Sequence, residues 1–250
     1  MPASPKYGLA RRMLNSVGGS REALATSFCQ LPDFLSPYAY RLARRFVFKD
    51  NLKRVGAFEA AFQEAGTADT GDYLEFGVAR GTSLITAYEI ASDLGMAKDM
   101  RFHAFDSFEG LPTSEGKFVT GDMSYSEAVF RRFVQKAGVP TSKITTTKGF
   151  FDRSLTDDRR KELGIEPGKA YVVHVDCDLY SSTLPVLAFV EKFLGIGSVV
   201  IFDDWFSFDA EECPWDHGEQ RAFREWSMRD RFEPIAMTYP WNAAFKLVRS

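Results

Sequence analysis

Cysteine is scarce in this sequence of 250 residues: only Cys29, Cys177 and Cys213 occur. They show no CxxC spacing and cannot all pair with one another, which argues against a disulfide framework and for a reducing compartment. No apolar run approaches a membrane span, and the first residues carry no signal-like apolar region; the expected location is the cytoplasm. Neither sign of charge dominates, the formal net charge being -3. A sequence-independent nucleic-acid binder needs a basic surface, so that class is disfavoured. Also missing is the GxGxxG fingerprint, and with it the main argument for a nicotinamide-dependent reductase. There is no internal repeat and no low-complexity tract.

Aromatic side chains, by contrast, are plentiful: 14% of residues, with 23 Phe. Most are expected in the core of an α/β domain, which a chain of this length can fill. Phe108, Phe118, Phe150, Phe151, Trp205, Phe206, Phe208 and Trp215 instead follow strand-like runs, where they can wall a pocket for a flat or apolar ligand.

The chain is organised around residues 171–205, YVVHVDCDLYSSTLPVLAFVEKFLGIGSVVIFDDW. Tyr171–Val175 is an apolar, β-branched run of the kind a strand buried on both faces shows. It ends by delivering Asp176 and Asp178. Ser181, Ser182 and Thr183 are offered as N-caps for the helix that follows, with Pro185 in its first turn and Gly195 and Gly197 at its stop. Ser198–Phe202 reads as a second buried strand, ending in Asp203 and Asp204. One such pair of acids is commonly no more than a turn or helix cap. Two pairs at the ends of adjacent parallel strands place four carboxylates where open α/β sheets bind ligands, and like charges so crowded call for a cation. Hard oxygen donors suit Mg2+ or another divalent cation.

Residues 1–50 are basic and mixed. Tyr38–Lys53 reads as an amphipathic helix leading into another at Val55–Glu64, a lid or oligomer contact set against the bland reading of a solvated arm. Residues 1–70 are therefore assigned to an N-terminal helical segment and 71–250 to the main domain. Tyr73–Phe76 opens the sheet and runs into Glu75-Phe-Gly-Val-Ala-Arg-Gly-Thr-Ser83 before a helix to Leu94. Gly77 and Gly81 permit a tight turn at an electropositive helix N-terminus, a weak signal taken alone. Arg101–Phe105 is the second strand, ended by Asp106, an acid suited to ribose hydroxyls or, more plainly, to a turn. The long loop Phe108–Gly121 precedes a helix over Ser124–Ala137, for which Ser124 and Glu127 form a capping box. Lys143–Thr147 is the third strand, Asp157–Leu163 a charged helix and Glu219–Arg229 the final helix. Phe232–Met237 and Ala243–Val248 close the sheet, the second antiparallel. The alternation predicts an α/β fold: a doubly wound, mostly parallel Rossmann-like sheet of seven strands with helices on both faces. His103 and His174 read as core histidines, His217 as a loop histidine that is either solvated or an alternative base, and Cys177 as packing.

With these residues in view, the sequence resembles the macrocin-type sugar O-methyltransferases, a family of class I S-adenosylmethionine-dependent enzymes. The resemblance is carried by YLEFGVARGTS at 73–83, FDSFEGLP at 105–112, VHVDCDLYSST at 173–183 and VVIFDDW at 199–205. It implies a methyltransferase sheet, with Glu75, Gly77, Thr82 and Ser83 at the methionine part of the cofactor and Asp106 and Ser107 at the ribose. Asp122 and the Lys148-Gly149-Phe150 turn would lie near the adenine. Asp176, Asp203 and Asp204 correspond to divalent-metal ligands and Asp178 to the general base, with His217 as its alternative. The acceptor implied is a glycoside or saccharide and a homo-oligomer is possible. The residues themselves leave open a catechol or polyketide phenol as acceptor, and a binding module of the same fold without turnover.

Overall fold

A computed structural model describes residues 49–65, 71–206, 217–235 and 242–250, with side chains from Val55 onward. Helix α1 (Lys49–Glu64) precedes strand β1 (Asp72–Phe76), then α2 (Thr82–Asp93), β2 (Phe102–Asp106), α3 (Glu127–Lys136) and β3 (Ile144–Lys148). A single turn, α4 (Phe151–Ser154), and α5 (Asp157–Leu163) lead to β4 (Ala170–Val175), α6 (Tyr180–Val190) and β5 (Leu194–Phe202). The chain closes through α7 (Gly218–Glu225), β6 (Phe232–Ile235) and β7 (Ala243–Leu247).

The seven strands lie in the order β3-β2-β1-β4-β5-β7-β6. Strand β7 is antiparallel to both β5 and β6, while the pairs from β3 across to β5 are parallel. The expected architecture is thus the observed one. Its central strands are buried along nearly their whole length, because the period-2 alternation feeds two separate cores. Tyr73, Val172, Val199 and Ile201 face α1, α2 and α3; Leu74, Val173, Val200 and Phe202 face α5, α6 and α7. The sequence order reverses direction between β1 and β4, which opens a crevice at their C-terminal ends.

Several local expectations are corrected. Lys49–Glu64 is one continuous helix rather than two, its Phe58, Ala61 and Phe62 buried in the first core; residues 38–48 of the expected first helix lie outside the described residues. The cap of α3 is Ser126, whose hydroxyl accepts from Val129 N, so Ser124 and Glu127 form no capping box. Helix α6 starts at Tyr180 after Leu179, which gives no side-chain cap, so Ser181–Thr183 are inside the helix and Pro185 is its sixth residue. Gly195 and Gly197 lie within β5 instead of ending the helix; a Cβ on Gly195 would come within 2.8 Å of Gly168 Cα.

Candidate active site

A cavity of about 350 Å3 opens at the crevice. Gly77 and Ala79 from the β1–α2 loop, Asp106 and Ser107 at the end of β2, and Phe150 before α4 line its wall. Asp122 and Met123 from the long loop after β2, and Asp176 and Asp178 from the turn after β4, also line it. Gly77 has φ 87°, and a Cβ there would lie 1.8 Å from the Asp176 carbonyl oxygen; the close approach of the β1 and β4 ends requires glycine. Ala79, Phe108, Met123 and Asp178, non-glycine residues with positive φ, all belong to the loops around this cavity. Backbone strain of that kind collects at functional sites.

Of the expected cofactor residues, Gly77, Asp106, Ser107, Asp122 and Phe150 are in the wall, whereas Glu75, Thr82, Ser83, Lys148 and Gly149 are not. Glu75 is fully buried in the sheet, where it accepts hydrogen bonds from Tyr73 Oη and Ser83 Oγ, both at 2.5 Å. Thr82 opens α2, and its carbonyl accepts from Thr86 Oγ1. Lys148 is exposed beside Asp106 in the β2–β3 register, and Gly149 N donates to the Asp106 carbonyl. The Asp106 carboxylate accepts from Val78 N (2.8 Å), Ala79 N (2.9 Å) and Phe108 N (2.6 Å), and so ties the β1–α2 loop to the loop after β2. Burial pushes its pKa up against the pull of those three donors.

The β4–β5 register ends at Val175 and Phe202, which sets the two acidic turns side by side. Asp178 has φ 59° in a tight turn closed by Leu179 N to Cys177 O at 2.6 Å. Its carboxyl is buried; burial first, then Asp204 and Asp176, drive its pKa well above the ordinary carboxylate range, and it shares a hydrogen bond with Asp204. Asp203 accepts from Asn242 Nδ2 at 2.7 Å and pairs with His174 Nε2 at 3.4 Å. The four acids therefore fall into two groups, Asp178 with Asp204 and Asp176 with Asp203.

His174 is a core histidine with a role at the site. Its Nδ1 faces Glu75 Oε2 at 3.8 Å. Burial alone would depress the imidazole, but the Asp203 and Glu75 carboxylates outweigh it and push the pKa up to about 10. Ligand atoms of His174, Asp176 and Asp203 lie within 4.8 Å of one another. An imidazolium has no lone pair to give, so His174 as placed orients Asp203 and the oxygens are the donors. Asp176 and Asp203, whose carboxylate oxygens converge on one point beside the Asp178–Asp204 pair, fit a hard divalent cation.

Three residues at this end were not signalled by any motif. Glu219, in the first turn of α7, is fully buried and accepts from Cys177 N (3.3 Å) and Asp204 N (3.0 Å). Glu115, in the long loop, accepts from Tyr180 N (2.9 Å) and Gly218 N (2.7 Å), the first amides of α6 and α7. Asn242 enters from the start of β7, almost forty residues beyond Asp203 in sequence. His217 stands at the N-cap of α7 with Nδ1 3.7 Å from Glu115 Oε1, outside the cavity wall. Cys177 is a buried thiol against Thr183 Oγ1, in keeping with a packing role. Phe208, Cys213 and Trp215 lie outside the described residues.

The family model of the macrocin O-methyltransferases matches residues 51–225. No curated protein matches the sequence. Among solved structures, the O-methyltransferase NovP superposes with a TM-score of 0.61 at 23% identity, over 79% of this chain and 81% of that one. CalS11, a calicheamicin methyltransferase, gives 0.68 at 18% identity over 98% and 94%; its apo structure is described as that of a TDP-rhamnose 3'-O-methyltransferase. An O-methyltransferase from Bacillus cereus, solved in complex with SAH, gives 0.51 at 14% identity over 94% and 96%. At these identities the structural likeness carries the fold.

Proposed function

The chain belongs to the macrocin O-methyltransferase family, and from that premise we propose that it methylates a sugar hydroxyl on a glycosylated small molecule or saccharide. S-adenosylmethionine is the methyl donor, and Mg2+ or another divalent cation sits at the acidic turns. The observation that carries the reading is that the β4–β5 register sets the Asp203–Asp204 turn beside the Asp176–Asp178 turn, which lines the cavity with Asp178 buried and in a left-handed backbone at its wall. The TDP-rhamnose acceptor of CalS11 supports a sugar.

In this reading Gly77 lies at the methionine part of the donor, Asp106 and Ser107 hold its ribose, and Asp122 and Phe150 lie near its adenine, all five of them in the cavity wall. Asp176, Asp203 and Asp204 would hold the cation, which would lower the pKa of an acceptor hydroxyl and fix its position. Asp178 takes the hydroxyl proton as the oxygen forms its bond to the methyl carbon; the carbon–sulfur bond breaks and its electron pair returns to sulfur. That role needs the ionised form; burial first, then Asp204 and Asp176, raise the Asp178 pKa, and a cation held by its neighbours would offset their repulsion. Asp203 is held ready by Asn242 and His174. Alignment of acceptor and methyl group supplies much of the rate.

The test is label transfer from radiolabelled S-adenosylmethionine to a panel of glycosides and of matched phenols and catechols. Transfer to glycosides supports the proposal. Transfer confined to catechols or phenols replaces the sugar acceptor while leaving the chemistry in place.

A further inference from the structure

We propose that Glu219 is a positioning residue that clamps the two acid-bearing turns to each other, and that this clamp sets the affinity of the acid cluster for its cation. The inference rests on the cation reading given above. Strands β4 and β5 are laced together as far as Val175 and Phe202, and the bond from Asp203 N to Val175 O is the last rung between them. Past that rung the chains part into separate turns, one with Asp176 and Asp178, the other with Asp203 and Asp204. The amides of Cys177 and Asp204 point to neither strand. Glu219 takes both, Cys177 N on Oε1 at 3.3 Å and Asp204 N on Oε2 at 3.0 Å.

A carboxylate is the one side chain of this length that offers two acceptor oxygens in a fork; glutamine has one and turns a donor toward the other amide. Placing a fully buried acid next to four aspartates is electrostatically costly. Core packing alone would be better served by an apolar residue, so the fork itself is the reason for the acid. The rest of the helix turn is built to hold it. Gly218 N donates to Glu115 Oε1, and the Gln220 side-chain amide donates to the Trp205 carbonyl just beyond Asp204. Three successive residues of α7 are thus tied to the two turns and to the loop over the cavity. The distance between ligand oxygens on the two turns is then fixed before a cation arrives. Loss of a partner that orients metal ligands typically weakens metal affinity about 10- to 100-fold.

The experiment is calorimetric titration of MnCl2 into wild-type protein and Glu219→Gln, with S-adenosylhomocysteine affinity as the control. Hydrogen exchange is followed at the Cys177 and Asp204 amides. The expected result is cation affinity about 10-fold or more weaker in the variant, loss of protection at one of the two amides, the one left facing the glutamine NH2, and cofactor-product affinity within twofold of wild type. Equal cation affinity in the two proteins overturns the clamp and leaves the cation reading standing. No cation binding by the wild type removes the cation reading and the affinity claim with it, and the amides alone then decide the clamp. If the variant does not fold, wild-type exchange decides: slow exchange at both amides supports the clamp, and fast exchange at either overturns it.

Discussion

Asp178 combines three properties that seldom occur in one residue: burial, a left-handed backbone, and a carboxyl whose pKa is raised by that burial and then by Asp204 and Asp176. A side chain so constrained is poised to exchange one proton. Replacing it by Asn keeps the size and removes the proton acceptor. Turnover of Asp178→Asn is expected to fall by about 100-fold or more, with S-adenosylhomocysteine affinity near wild type; near-normal turnover would remove Asp178 as the base. Asp72, at the other end of the sheet, shows the opposite balance. Burial would raise its pKa, but His103 at 3.3 Å and Arg101 at 2.5 Å hold it below the ordinary value of 3.8. Its contribution to stability is complete above that value and is lost as pH falls through the lower value of the folded state. Asp72→Asn should therefore lower stability at neutral pH by about 1.5–3 kcal/mol and flatten the acid limb of a urea-unfolding series. An unchanged acid limb would mean that the pair is immaterial. At this scale the sequence marks the acids at strand ends well, since position in a strand–turn pattern suffices. It does not mark Glu219 or Asn242, whose partners are set by tertiary packing across tens of residues.

At the scale of elements, the loop after β2 is fastened by Glu115 to the starts of α6 and α7. A carboxylate at a helix N-terminus satisfies orphan amides and meets the positive end of the dipole. This explains why the expected serine caps of α6 are unused: Glu115, sixty-five residues upstream of Tyr180, supplies the acceptor. Sequence reading looks for caps within a few residues and passes over a cap that arrives from another loop. The same limit separates Ser124 from Ser126, since both precede the helix and only the path of the chain decides between them. Strands are more legible. The burial of β1, β4 and β5 demands long apolar runs, and their observed bounds fall close to those expected except at the start of β5, where the glycines misled. Glu115→Ala should release the loop that covers the cavity. The expected outcome is a several-fold rise in KM for S-adenosylmethionine, with loss of about 1 kcal/mol of stability for each vacated cap, read by steady-state kinetics and thermal melting. Unchanged KM would detach the loop from cofactor binding.

For the molecule as a whole, the two cores and the switch between β1 and β4 put the β1–α2 loop, the acidic turns and the long loop after β2 at one end of the sheet. Helix α1 belongs to that framework. Phe62 is buried against Tyr73 and Tyr171, and Phe58 lies edge-on to His174 beneath the acid cluster. Phe62→Ala is expected to cost about 3–5 kcal/mol, seen as a lowered denaturant midpoint with an unchanged slope. A loss within experimental error would mean that α1 is dispensable to the fold. No helix among the described residues is long and apolar enough to cross a membrane. Sheet order and class are legible at this scale because alternating strands and helices admit few topologies. The meeting of Asp176 with Asp203, and of Asp178 with Asp204, follows from that order once β4 and β5 are neighbours. The measurement that bears most directly on the central claim is turnover by EDTA-stripped protein, with an acceptor glycoside, as Mg2+ is added back. No methyl transfer is expected in EDTA, with saturable recovery as Mg2+ returns; full transfer in EDTA would mean that the acidic turns serve some purpose other than holding a cation.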